Sequence, residues 1–221
     1  MSSLSPYVKL SVLAYAAQFN ENDLKFRRVR SPEEFIKTYL AGLRAPTLQE
    51  EQRHLLPLKD QAIQLLQNYT KLANIPFKIL ILREAESAIE NNMPHTHADT
   101  IIIPETVLFR NHLTLTTLIH EQLHVFQRHY PVQCHKLYEK WGYRAIGVID
   151  PTTHRSNPDN TAILYADSIG NAFNNAYNPQ PKHISDIQDH RDHPNEVFAY
   201  RVSEQLVSGE LTDEHVVELL T

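Results

Sequence analysis

Residues Thr114 to Tyr130 read TLTTLIHEQLHVFQRHY, with an H-E-x-x-H pattern at His120, Glu121 and His124. On a helix of about 3.6 residues per turn, positions i and i+4 stand one above the other. His120 and His124 can therefore direct two imidazoles at one metal ion. Glu121 is rotated by about 100° from His120, which suits it to a water beside the ion rather than to ligation. Zinc lowers the pKa of bound water to about 7, and a nearby carboxylate can take the proton during attack and return it to a leaving amine. With 13 His in 221 residues, a shuffled chain would contain the pattern roughly 5% of the time, so its surroundings have to support it. They do. Leu115, Leu118, Ile119, Val125 and Phe126 form an apolar stripe at helical spacing. Asn111 or Thr114 can cap the start, and Pro131 makes Tyr130 the stop.

Outward from this helix, composition bounds the rest. The length suits one well-cored domain, here 1–221, with 1–75 as a helical N-terminal subdomain and 76–221 as a metal-binding core. A hydrophobic fraction of 42%, a charged fraction of 21% and a net charge of −5 describe a globular chain with no electrostatic case for nucleic acid. The short basic run KFRRVR, Lys25 to Arg30, reads as a solvated turn. Five Gly leave no Gly-rich phosphate loop. The single cysteine, Cys134, cannot form an intramolecular disulfide and reads as a small buried residue. The run Leu10 to Ala17 is too short and too polar for a secretory signal, and no apolar run has the length of a membrane span. The expectation is a cytoplasmic protein with no membrane partner.

Along the chain, Ser31-Pro-Glu-Glu opens a helix, and Leu55 to Leu72 carries a second helical apolar face. The first third thus reads as a supporting helical layer without chemistry. Phe77 to Leu82 and Thr100 to Ile103 read as strands. His95 and His97 alternate along one strand face, and surface histidines are the expectation there. Val132 to Trp141 suggests a helix ended by Gly142, and residues 145–150 a short strand. Asp150 to Asn160, DPTTHRSNPDN, reads as a loop, with strand-like pieces at Thr161 to Tyr165 and Asn171 to Tyr177 and a turn at Asn178 to Pro181. Pro194 to Val207 reads as a helix, followed by a last one within Leu211 to Leu220. The fold class expected is α+β: a small mixed sheet with an edge strand between helical layers.

A catalytic zinc takes three protein ligands and keeps a position for water. A third His at the metzincin spacing is absent, because Gln127 and Tyr130 occupy those positions. A carboxylate from a downstream helix is the other solution, and Glu196, early in a partly apolar helix, is the choice. His193, His190, Asp186, Asp189 and Asp192 in the neighbouring HISDIQDHRDHP segment are the rivals.

With HEQLH and the Glu-Val-Phe-Ala segment Glu196 to Ala199 in place, the chain resembles the gluzincin clan of zinc peptidases. The resemblance implies a zincin-like core with one zinc per chain held by His120, His124 and Glu196. It also implies an edge strand that aligns an extended peptide, here Thr100 to Ile103 with Ile102 at the substrate. Families of the clan often place Asp four residues after the ligand Glu; this chain has Tyr200. Tyr165 is the expected oxyanion-binding group, with His154 a rival, and Arg155 the expected anchor for a substrate carboxylate or carbonyl. The function expected is a zinc metallopeptidase. The alternatives are a non-catalytic module of the same scaffold that binds a peptide or protein, and a zinc hydrolase of a non-peptide amide.

Overall fold

The computed structural model describes residues 4–178, 181, 186, 188 and 191–221. It is an α+β molecule built on one small mixed sheet. Strands β1 (Leu43–Arg44), β2 (Ile79–Leu82), β3 (His95–His97) and β4 (Thr100–Pro104) are ordered β1-β2-β4-β3. The β2–β4 pair is parallel, with Ile79 opposite Ile101 and Ile81 opposite Ile103; β1 and β3 run antiparallel to their neighbours.

The central pair is covered on both faces. Ile81, Ile101 and Ile103 join the larger hydrophobic cluster, whereas Leu82 and Ile102 join a second one on the opposite face. Burial on both sides explains why these strands read as unbroken apolar runs rather than alternating ones. The second cluster is closed by helices α1 (Pro6–Ala16) and α3 (Pro32–Gly42) through Val8, Val12, Tyr15, Phe35 and Tyr39. Between them lies α2 (Glu21–Arg27). The larger cluster contains α4 (Leu56–Leu66), α5 (Leu115–His129), α6 (Pro131–Lys140), α7 (Pro194–Ser208) and α8 (Glu214–Leu220). The N-terminal layer is therefore not wholly helical, since it donates β1, and its α4 packs against α5 in the main core.

Local chemistry sets the helix ends. Thr114 caps α5 by accepting from the Thr117 N–H at 3.0 Å, and Tyr130 leaves helical geometry immediately before Pro131 opens α6. Pro194 begins α7, and Gly209 ends it at φ 75°, a left-handed conformation that glycine adopts without strain. A hairpin of β5 (Arg144–Val148) and β6 (Ile163–Ala166) stands apart from the main sheet. The predicted strand at Asn171 to Tyr177 is reduced to isolated bridges at Ala172, Asn174 and Ala176. Cys134 is buried, and burial pushes its thiol up to about 12.

Two expectations are overturned by the sheet order. Thr100–Pro104 is an internal strand, bonded on both sides, and Ile102 is fully buried against α1 and α3, so it cannot meet a substrate. The edge is β3. His95 and His97 on it are not surface residues: both are buried, with His95 bonded to the Tyr39 hydroxyl and His97 to Ser11 at 3.2 Å. Among the described residues no helix is long and apolar enough to cross a membrane.

Candidate metal centre

Helices α5 and α7 pack along each other, and this pairing brings the distant carboxylate to the histidines. His120 Nε2 and His124 Nε2 lie 3.0 Å apart, and Glu196 Oε2 lies 3.5 Å from each. Ligand atoms about 2.0–2.1 Å from a tetrahedral zinc are about 3.3–3.4 Å from one another, so this triangle has the size such an ion requires. Its donor set, two imidazoles and a carboxylate, is also one that zinc takes. It is the one group of three or more His, Cys, Asp or Glu of ligating spacing among the described residues.

His124 and Glu196 are each aimed by a bond on the far side of the ligating atom. The Gln127 amide N–H donates to the Asn195 carbonyl at 2.8 Å, which turns the Gln127 oxygen toward His124 Nδ1, also at 2.8 Å. His124 must then carry its hydrogen on Nδ1, leaving the Nε2 lone pair for the site. Gln127 is fixed further by the Tyr138 hydroxyl, which donates to Asn195 Oδ1 at 3.1 Å. Asn157 donates to Glu196 Oε1 at 2.8 Å, so Oε2 is the oxygen left facing the histidines. The Tyr200 ring packs on His120 at 4.4 Å between centroids.

The electrostatics follow from burial among opposed charges. Burial disfavours a charged His124, but Asp159 and Glu196 outweigh it and raise its pKa to about 9. Burial also works against the Glu196 carboxylate, yet the charge of His124 and the bonds from both histidines hold it well below the usual carboxylate range. These describe one pairing from its two ends. Glu121 behaves oppositely. Burial, reinforced by Asp159 and Glu196, raises its pKa well above normal, and its Oε2 is buried without a hydrogen-bond partner.

The triad opens into a cleft of about 620 Å³. Glu121, Tyr200, Arg155, Asn157 and His193 line it, and so do Tyr15 and Arg27 from the N-terminal layer, which sequence reading credits with no chemistry. The loop carrying Arg155 and Asn157 is pinned to that layer: Asn20 donates to the carbonyls of Pro151 and His154, and Ser156 N–H donates to Asp23 at 3.2 Å.

Arg155 is thus brought to the site, and Tyr165 is not. Tyr165 is buried in the main core with its hydroxyl 2.8 Å from His135 Nδ1, and it does not line the cleft, so it cannot serve as the oxyanion-binding group. His154 packs its ring on Phe173 and is likewise outside the cleft lining. His193 is committed elsewhere. Its Nδ1 accepts from the Asn195 N–H at 3.1 Å to cap α7, and its Nε2 faces the Ile163 carbonyl at 3.2 Å. Asp186 and Asp192 are not in the ligand triangle, and Asp189 and His190 lie outside the described residues.

The edge strand carries a further constraint. Thr96 N–H donates to Asp159 at 3.1 Å, and Arg128 donates to the Thr96 carbonyl at 3.3 Å. The outward backbone groups of β3 at Thr96 are already used, so an extended ligand cannot pair there. Comparison with protein-family models, with curated proteins and with solved structures finds no match to this chain.

Proposed function

We propose that this protein is a zinc-dependent metallopeptidase of zincin-like fold, with one zinc held by His120, His124 and Glu196. The observation that carries the reading is the triangle of 3.0, 3.5 and 3.5 Å among their ligating atoms. Zinc in that place would polarise a carbonyl as a Lewis acid and make water available as a nucleophile near neutral pH.

The remaining work falls to the chain's own groups. Glu121 is the general base. Its raised pKa and unpaired Oε2 suit a carboxylate that takes a proton from the attacking water and delivers it to the amine as the C–N bond breaks. Gln127 and Asn157 hold His124 and Glu196 in their ligating orientations. Tyr200 replaces Tyr165 as the group for the developing oxyanion. It lines the cleft, its ring lies on His120, and its phenol is kept protonated by burial and by the charges of Glu196, Asp192 and Glu121. A module that only binds has no use for an unpaired buried carboxylate at Glu121, which favours hydrolysis over the binding alternative. We place the activity in the cytoplasm, in keeping with one buried cysteine and a fold that needs no disulfide.

The test pairs two measurements. Purified protein should carry about one zinc per chain. Glu121→Gln should keep that zinc and lose peptide cleavage by a factor on the order of 10³ or more. Cleavage by the Gln variant at the parent rate, with zinc loaded, would end the reading.

A further inference from the structure

Four buried polar atoms without a hydrogen-bond partner belong to residues that line this one cleft: Glu121 Oε2, Arg155 Nε, Asn160 Oδ1 and Asn175 Oδ1. Glu121 is accounted for by proton transfer. The other three form a set. Arg155 N–H donates to the Asn175 carbonyl at 2.9 Å, which places the two residues side by side on the cleft wall, and Asn175 is 2% exposed. Asn160 comes from the same loop as Arg155.

Two arginines line the cleft, and they differ. Arg27 is neutralised by Asp23 at 2.9 Å and Glu90 at 3.0 Å. Arg155 makes no ion pair with any described residue. A partly buried guanidinium without a counter-charge is costly, and a carboxylate offered in bidentate geometry offsets that cost. The positive charge of Arg155 also acts on the Tyr200 phenol, and the Tyr200 ring lies 4.4 Å from that of His120. The cation and the ligand triad therefore face the same space.

We infer that Arg155, Asn175 and Asn160 form a subsite for the C-terminal residue of a peptide, so that the enzyme acts on substrates with a free α-carboxylate. This deepens the peptidase reading and rests on it. The terminal residue of a peptide presents one anion and one N–H. Arg155 supplies the cationic donor, and the amide oxygens of Asn175 and Asn160 supply acceptors. An N-terminal ammonium would meet a like charge at Arg155. An internal segment presents no anion unless its side chains do. The closed backbone edge at Thr96 agrees, because a ligand held by its end does not need strand pairing there.

The experiment uses zinc-loaded full-length protein and three matched peptide sets: a free C-terminal acid, the C-terminal amide, and the amide with a Glu side chain near its end. Cleavage is measured as kcat/KM. Binding to Glu121→Gln protein, which cannot turn over, is measured by titration calorimetry. The free acid should exceed both amides by about 10–100-fold in cleavage and in binding. Arg155→Gln should remove that preference by weakening the acid alone, and Arg155→Lys should restore part of it. Thermal melting confirms that both variants are folded. Equal handling of acid and amide, equal use of the Glu-bearing amide, or uniform loss with Arg155→Gln overturns the subsite. If no peptide is cleaved, yet acid still binds better than amide through Arg155, the subsite stands and the peptidase reading fails.

Discussion

Two groups of buried polar side chains meet the same cleft, and they differ in how far they are satisfied. Around Arg27 every charge is answered. Its guanidinium bonds Asp23, Glu90 and the Ser156 carbonyl, and lies 4.3 Å from the Phe19 ring centroid. Around the ligand triad, Glu121, Arg155, Asn160 and Asn175 each keep an unpaired buried atom. An orphaned polar group costs about 1–3 kcal/mol, more if charged. A fold able to close the first network completely has left the second open, and the open one surrounds the candidate metal ligands. The first network is architecture; the second is where a ligand belongs.

Removing charge should therefore have opposite consequences in the two places. Arg27→Met leaves Asp23 and Glu90 buried without their cation, and should cost about 3–5 kcal/mol in urea unfolding of the metal-free protein. That is a large share of the roughly 5–15 kcal/mol that holds a domain together. Glu121→Gln removes a charge that burial already disfavours, and glutamine has nearly the same shape. Metal-free Glu121→Gln should melt no lower than the parent. The comparison breaks if Glu121→Gln is destabilised as severely as Arg27→Met.

A smaller effect tests whether the satisfied bonds next to the triad serve the metal. Gln127→Ala removes the acceptor that sets the His124 tautomer. Zinc affinity, measured by competition with a chelator, should fall about 10–100-fold while the helical content stays as in the parent. Unchanged affinity would mean that Gln127 only braces α5 against Asn195 and Tyr138.

What could be read in advance was mostly local. The α5 stripe, its Thr114 cap and its Pro131 stop lie within a few turns of one another, and the structure reproduces them. Glu196 was chosen because a carboxylate early in a partly apolar helix can face inward, and the packing of α7 on α5 brings it to the two histidines. The edge strand was misread for a physical reason. Every residue of Thr100 to Ile103 is apolar or β-branched, which marks a strand buried on both faces, hence an internal one. His95 and His97 looked exposed because nothing local shows that α1 and α3 cover them. Gln127 carried a usable signal, being three residues after His124 and so on the same helical face. Tyr200 is one turn from Glu196, so its place beside that carboxylate was legible although its packing on His120 was not. Asn157 and Tyr165 depend on where a loop and a hairpin land, and that is decided by contacts far away in the chain.

The mildest test concerns His193, which belongs to the closed class of polar groups although it stands three residues from Glu196. Burial lowers its pKa from 6.5 to about 4, so the folded protein holds it neutral, accepting at Nδ1 from Asn195 and facing the Ile163 carbonyl with Nε2. The unfolded chain takes up a proton below about pH 6.5 that the folded chain refuses until about pH 4. The stability tied to neutral His193 is fully present above the unfolded pKa and is lost as pH falls through that window, at up to about 1.4 kcal/mol per pH unit. His193→Asn separates this from everything else that titrates. Asparagine can still cap α7 through its side-chain oxygen but has no proton to gain. Unfolding free energies between pH 7.5 and 4.5 should decline more steeply for the parent than for the variant, and the metal ligands and surface carboxylates, common to both, cancel in the difference. Parallel curves would show that His193 is as free to protonate in the folded state as in the unfolded one, and would move it from the closed network to the open one.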